Sequence, residues 1–197
     1  MTPCAKSDAT PDVRRLIVSL NFYYAHPGKE AEVLRQRLKA CDVRSALGLP
    51  RGQVSAKIKG GDDWPDTLWR LDFPEMASQD ADMAVRAASP EFEAIRLGMR
   101  QLYRRFERPL YAASADTGRP LRRGDLQAWS GIFCAEAASS AIRESLAVAG
   151  LNALEYRSGG KDVPRFIVCG NPIPEAAGLT ALGARIECSL WRIEDPG

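Results

Sequence analysis

The sequence predicts an α+β protein built from two tandem β-α-β-β-α-β units on one chain. Three observations carry the prediction. Strand-like and helix-like segments run in the same order on either side of a polar stretch at 115–125. The pattern GG-x-D-x-P occurs twice, as GGDDWP at 60–65 and GGKDVP at 159–164, each time between the second and third strand-like runs of its half. Finally, 197 residues with 45% hydrophobic and 26% charged composition suit a globular chain with room for two small units sharing one core.

Residues 1–12 are polar, contain two prolines and read as a flexible tail. The first unit spans 13–114. RLIVSLNFYYA (15–25) is β-branched and aromatic and stops at HPG, which marks a strand and a turn. From Gly28 to Cys41 the apolar residues Ala31, Leu34, Leu38 and Cys41 fall three and four apart, one face of a helix. GQVSAKIKGG alternates into the first double glycine, and DTLWRLDFP is the next strand. A long helical region then follows. Ser89 is its N-cap and Pro90 its first residue, where the missing N–H costs little. The stripe Phe92, Ile95, Met99, Leu102 and Phe106 continues it to Pro109, and LYAAS reads as a closing strand.

The stretch 115–125 is the linker, and its basic end RPLRRGD reads as solvated surface. The second unit, 126–197, repeats the order. LQAWSGIFC is a strand, and Ala138, Ile142, Ser145 and Ala149 mark a helix face stopped by Gly150. LNALEYRSGG and PRFIVCG are strands, PEAAGLTAL holds only a shortened second helix, and ARIECSLWRIE is the last strand. The recurrence of the glycine motif at one position in both halves points to an internal duplication. Glycine suits the φ > 0 of tight hairpins, and Asp and Pro shape the return.

Composition narrows function mainly by exclusion. A net charge of +2 gives no reason to expect nucleic acid or an acidic membrane as partner. Cys4, Cys41, Cys134, Cys169 and Cys188 form no CxxC pair, and their odd number and irregular spacing make neither a disulfide framework nor a zinc site. Such usage fits a reducing compartment, and with no apolar leader-like run the expected location is the cytoplasm. No GxSxG, Walker loop, GxGxxG or HExxH is present. The expectation is therefore no cofactor and no metal. Asp62 and Asp63 read as hairpin residues, and Glu155 and Glu187 as strand carboxylates without a neighbouring histidine.

Within the first unit, HPGKEAEVLRQ after the first strand, TLWRLDFP as the third strand and ASPEFEAIRLGMRQLYRRFERPLY resemble the antibiotic-biosynthesis-monooxygenase-like branch of the ferredoxin-like dimeric α+β barrel superfamily. The resemblance covers most of 15–114; the second half matches in element order alone. It implies two ferredoxin-like units packed sheet to sheet as a dimeric α+β barrel within one chain. A further homodimer of such pseudo-dimeric chains is left open. That superfamily includes cofactor-independent oxygenases of polycyclic phenols, haem-degrading enzymes, lactone isomerases and members without known chemistry, so fold does not choose the function. Its haem-binding members place their ligand in a helix where this chain has no histidine.

Alternation along the first strand sets Leu16, Val18, Leu20, Phe22 and Tyr24 against Ile17, Ser19, Asn21 and Tyr23. The third strand sets Thr67, Trp69, Leu71 and Phe73 against Leu68, Arg70 and Asp72. Each strand is expected to turn an apolar face to the helices and a partly polar face elsewhere. Asn21 and Tyr23 are the candidate catalytic residues, as hydrogen-bond partners for a carbonyl and a phenolate. Phe22, Trp69, Arg70, Asp72 and His26 are the candidate substrate-binding residues for a small apolar or aromatic molecule. His26, the only histidine, lies in a strand-to-helix turn and reads as a turn residue before a ligand. The plainer reading of Asn21, Tyr23, Arg70 and Asp72 is an interface between the two sheets, where buried polar groups pair whatever the function. Trp64, Trp129 and Trp191 read as packing residues.

Two functions follow. One is a cofactor-independent monooxygenase or isomerase with an enclosed pocket lined by Asn21, Tyr23 and Trp69. The other is a non-catalytic binding or assembly protein, with Phe22, Phe92, Met99 and Phe106 filling the space between sheet and helices.

Overall fold

The structure, a computed structural model, describes residues 15–114, 121–170, 173 and 178–197. The tail at 1–12, residues 115–120 of the linker and residues 174–177 of the segment read as a shortened helix lie outside the described residues; the rest of that segment holds one 3-10 turn at Thr180–Leu182. The elements are β1 (Arg15–Ala25), α1 (Glu30–Ala46), β2 (Gln53–Lys59), β3 (Thr67–Phe73), α2 (Met76–Ala87), α3 (Pro90–Met99), β4 (Tyr103–Glu107) and β5 (Leu110–Ser114). They continue with β6 (Leu126–Phe133), α4 (Ser139–Val148), β7 (Ala153–Ser158), β8 (Phe166–Gly170) and β9 (Arg185–Asp195).

Every strand pairing is antiparallel, in the order β3-β2-β9-β6-β8-β7-β5-β1-β4, and β1 also pairs with β3. The ring therefore closes. β5 pairs with residues 15–19 of β1 and β4 with residues 22–25, so these two strands lie end to end in one position of an eight-position barrel. Among the described residues β4 alone keeps an unpaired edge, since its single strand partner is β1, and four α-helices pack outside. The first half contributes the order (β4/β5)-β1-β3-β2 and the second β9-β6-β8-β7. The halves join where β2 meets β9 and β5 meets β7.

Both GG-x-D-x-P motifs sit in hairpins between strands, β2–β3 and β7–β8. Their glycines differ in conformation. Gly159 and Gly160 have φ of 79° and 77°, whereas in the first hairpin only Gly60 is positive, at 152°. A tyrosine from the barrel wall fastens each hairpin: Tyr24 Oη donates to the Asp63 carbonyl at 3.1 Å, and Tyr111 Oη to that of Pro164 at 2.9 Å. Trp64 reaches from the first hairpin onto Gly131 of β6. A Cβ at Gly131 would lie 2.7 Å from its ring and 3.2 Å from Pro164, so only glycine lets the indole approach so closely.

Two expectations are corrected. The helix at 90 ends at Met99, and residues 103–107 form a strand. Ser89 Oγ accepts from the Phe92 N–H at 3.1 Å as the predicted cap. The stripe beyond Met99 was helical in spacing alone. Tyr24 pairs with Arg105 and Ala25 with Tyr103, so Arg104 is an extra residue in a bulge. The bulge puts Tyr103 and Phe106, three apart, on one side of the sheet. Pro109 then separates β4 from β5 instead of stopping a helix.

The second correction concerns the faces of β1; on β3 the apolar side, with Trp69, Leu71 and Phe73, faces the helices as expected. Val18, Leu20, Phe22 and Tyr24 point into the barrel, packed with Leu68, Tyr111, Trp129, Leu154, Ile167 and Trp191. The partly polar face, with Tyr23, takes the helices, together with Trp69, Leu71 and Phe73 and with Val33, Ala40 and Cys41 of α1 and Phe92, Ile95 and Met99 of α3. On α1 the buried residues are Val33, Arg37, Ala40, Cys41 and Arg44, and Ala31 is exposed. In the second half, Ile142 and Leu146 of α4 cover Ile132, Phe166 and Val168.

Candidate functional site

A pocket of about 230 Å³ opens between the outer face of β1, β3 and β4 and the three helices of the first half. β1 supplies Tyr23 and β3 supplies Trp69, on neighbouring positions of one sheet face because Asn21 pairs with Trp69 and Tyr23 with Thr67. Arg37 comes from α1, Arg86 from α2, Phe92, Arg96 and Met99 from α3, and Tyr103, Phe106 and Arg108 from β4 and its end. Arg100, just past α3, completes the wall.

The rings form one cluster. Tyr23 lies 5.9 Å from Tyr103 and 5.0 Å from Phe106, and these two lie 5.8 Å apart, all tilted. Guanidinium groups cover them. Arg37 lies 5.0 Å from the ring centroids of both Tyr23 and Trp69, Arg86 5.2 Å from Phe92 and Arg108 5.3 Å from Phe106. Trp69 is fixed by its Nε1–H, which donates to the Arg51 carbonyl at 3.1 Å.

Five arginines and no carboxylate line this pocket. Arg86 is bound by Asp82 at 2.6 Å and Arg96 by Glu93. Among the described residues, Arg37, Arg100 and Arg108 have no carboxylate partner. Arg37 is 4% exposed and donates from Nη1 to Tyr23 Oη at 2.9 Å. Arg108 donates from Nε to Asn21 Oδ1 at 3.0 Å. Burial raises the Tyr23 phenol above its ordinary value, against the opposing pull of Arg37 and Arg108, so it stays protonated at neutral pH. Burial also lowers the Arg86 guanidinium; Asp82 opposes this, and Arg44 and Arg108 add to it. The site thus concentrates positive charge over an apolar, aromatic floor.

The residues singled out from sequence divide among three places. Tyr23 and Trp69 line the pocket. Asn21 stands behind it, 2% exposed: its Nδ2 donates to the Trp69 carbonyl at 3.3 Å and its Oδ1 holds Arg108. Phe22, Arg70 and Asp72 belong to the barrel-facing side of their strands. Phe22 is packed in the interior, and Arg70 binds Asp72 through two hydrogen bonds of 2.7 and 2.8 Å. The sheet-interface reading therefore fits Arg70 and Asp72, while Asn21 and Tyr23 face the helices. His26 is exposed in the turn after β1, where its backbone N–H donates to the Leu102 carbonyl at 2.9 Å, and it does not line the pocket. Phe92, Met99 and Phe106 line the space between sheet and helices without filling it.

Arg37 is among the lining residues that sequence reasoning missed, with Arg86 and Arg108. For Arg37 the signal was available: Val33, Arg37, Ala40 and Arg44 fall four, three and four apart, a helix face carrying two arginines. No group of three or more His, Cys, Asp or Glu suited to a metal occurs among the described residues.

The chain has the dimeric α+β barrel fold. Among solved structures it is similar to an anthrone oxidase-like protein, at 14% identity and a TM-score of 0.60 over 93% of each chain. It is also similar to a candidate monooxygenase from Fusobacterium nucleatum, at 8% identity and a TM-score of 0.59 over 92% of this chain and 93% of that one. A candidate monooxygenase from Lactobacillus acidophilus aligns at 8% identity and a TM-score of 0.51, over 93% of this chain and 97% of its own. Identities this low show the fold alone. No protein-family model matches the sequence, and no curated protein matches it significantly.

Proposed function

We propose that this protein is a cofactor-independent oxygenase acting on a small aromatic molecule held in the pocket outside the first half of the barrel. The observation that carries the reading is the meeting of Tyr23 and Trp69 with Arg37 and Arg108 around one aromatic-lined space. The neighbours named as an anthrone oxidase-like protein and a candidate monooxygenase agree with it in fold. At about 230 Å³ the pocket is smaller than the ~300–1,000 Å³ of sites for drug-sized ligands, which favours one or two fused rings.

The chemistry asks little of the protein. A phenol such as 1-naphthol loses its hydroxyl proton, and the unpaired arginines favour the resulting anion. The anion passes one electron to O₂, and superoxide then joins the ring radical at the carbon para to the oxygen. The peroxide anion formed takes back the proton released from the phenol, and the resulting hydroperoxide loses water to give the 1,4-quinone, so one phenol and one O₂ yield one quinone and one H₂O. Protein groups bind the ring, hold the anion and keep bulk water away.

We read the two halves, 13–114 and 126–197, as copies of one ferredoxin-like unit. The equivalent strand orders and the two matching hairpins support this reading.

An oxygen electrode tests the function. With 1-naphthol and a metal chelator, uptake of O₂ equal to quinone formed, lost in Trp69→Ala, is the expected result. Turnover of an aromatic lactone that persists without oxygen would move the reading to an isomerase, and the absence of both binding and uptake would overturn it.

A further inference from the structure

We infer that the ligand of this pocket is an aromatic acid, its carboxylate seated on Arg37 and Tyr23; the inference rests on the aromatic-pocket reading above and names the chemistry of its ligand. Arg37 is the deepest cation in the wall. It carries five N–H donors, of which one goes to Tyr23 Oη, and its buried Nε has no partner. No carboxylate among the described residues pairs with it. A guanidinium 4% exposed and unpaired is costly in a folded protein, because buried charges are normally matched by an opposite charge. A bound anion supplies that match.

Tyr23 points the same way. Its oxygen accepts from Arg37, and among the described residues its O–H has no acceptor. A carboxylate in the pocket can therefore receive the Tyr23 proton donor together with Arg37 N–H groups, the short charge-assisted arrangement that carboxylates favour. Tyr23 is itself uncharged and cannot neutralise Arg37, since burial holds its phenol above the ordinary value. The wall offers no competing negative group: Asp82 is engaged by Arg44 and Arg86, and Glu93 by Arg96. Arg100 and Arg108 add further unpaired positive charge beyond Arg37. The rings of Tyr23 and Trp69, each 5.0 Å from the guanidinium, hold its plane fixed and give the ligand an aromatic surface beside the charge. Inorganic anions would use the charge and leave that surface bare.

Isothermal titration of the full chain with 2-naphthoate and with its neutral isostere 2-naphthamide tests this without any substitution. Naphthoate binding at least tenfold tighter than naphthamide is expected, with the gap narrowing as salt is raised. Naphthamide binding as tightly as naphthoate overturns the inference and leaves the aromatic pocket standing; if neither binds, both readings fall. Arg37→Gln, checked for its fold by near-ultraviolet circular dichroism, should bring the two ligands to equal affinity. An undiminished preference for the acid in that variant overturns the seat assigned to Arg37.

Discussion

The Tyr23 hydroxyl accepts a 2.9 Å hydrogen bond from Arg37 Nη1 while the same guanidinium lies 5.0 Å from the Tyr23 ring centroid, so one residue holds Arg37 both by its oxygen and by its face. β1 and α1 are joined at this point, under cover of α3 and β4. Tyr23→Phe keeps the ring and removes the oxygen. Arg37 Nη1 then loses its partner at a 4% exposed position. The expected cost is about 1–3 kcal/mol, read as a lower urea midpoint at unchanged m-value. An unchanged midpoint would mean that Arg37 finds another acceptor.

Asn21 links the sheet to Arg108. Its Oδ1 accepts from Arg108 Nε at 3.0 Å and its Nδ2 donates to the Trp69 carbonyl at 3.3 Å. A pocket-lining asparagine could be removed at the expense of turnover alone. Asn21→Ala is here expected to lower stability by about 1–3 kcal/mol as well, because it removes the two side-chain hydrogen bonds of a buried residue and frees a half-buried arginine. KM for an aromatic substrate should rise with it as Arg108 loses its position. Loss of turnover with unaltered stability would instead show Asn21 in direct contact with substrate.

Much of the barrel was legible in the sequence because strand ends are written in local chemistry. HPG, the two GG-x-D-x-P hairpins and Ser89–Pro90 mark boundaries that hold whatever packs on them. What periodicity could not supply was the direction of each face. In a closed barrel both sides of β1 are buried, one by Trp129 and Trp191 and the other by α1 and α3, so alternation separates the two sides without saying which is inside. The bulge at Arg104 gave β4 the spacing of a helix. The pocket itself was half visible. Tyr23 and Trp69 stand among the sequence candidates and Arg37 and Arg108 do not: the helix spacing of Arg37 and Arg44 with Val33 and Ala40 is a local sign for the first, and the end of β4 carries none for the second.

Asp82 joins the helices behind the pocket. It is 4% exposed, accepts from Arg44 Nη1 at 3.0 Å and from Arg86 Nε at 2.6 Å, and so holds α2 against α1. Arg44, fully buried, also donates from Nε to the Pro50 carbonyl at 2.6 Å and lies 5.3 Å from the Trp69 ring. Asp82→Asn preserves shape and removes the charge, leaving two neighbouring guanidinium groups uncompensated. Breaking a buried pair in this way costs about 3–5 kcal/mol, and chemical denaturation should register a loss of that size. The loss should exceed that of Glu93→Gln, whose exposed pair with Arg96 is screened by solvent. Equal effects from the two substitutions would rule out the Asp82 cluster as the tie between α1 and α2.

Cys41 sets an alkaline limit on the fold. It lies fully buried on α1, and burial, assisted by Asp195 and opposed by Arg37, Arg51 and Arg44, pushes its thiol up to about 12 from an ordinary 9.0. Because the folded chain holds this proton more tightly than the unfolded one, the associated stability is complete below pH ~9 and is lost as pH rises from there toward ~12, up to about 4 kcal/mol in all. Tyr24, raised to about 12 by burial, weakens the fold over the upper part of the same range. Thermal midpoints taken from pH 7 to 11 should therefore fall above pH 9, and Cys41→Ala should fall less steeply than the parent chain. At pH 8 a disulfide reagent should modify the exposed Cys188 while Cys41 stays silent until denaturant is added. Peptide mapping that finds Cys41 modified in the native protein, or parallel pH curves for parent and variant, would show that its thiolate forms without opening the packing of α1 on the sheet.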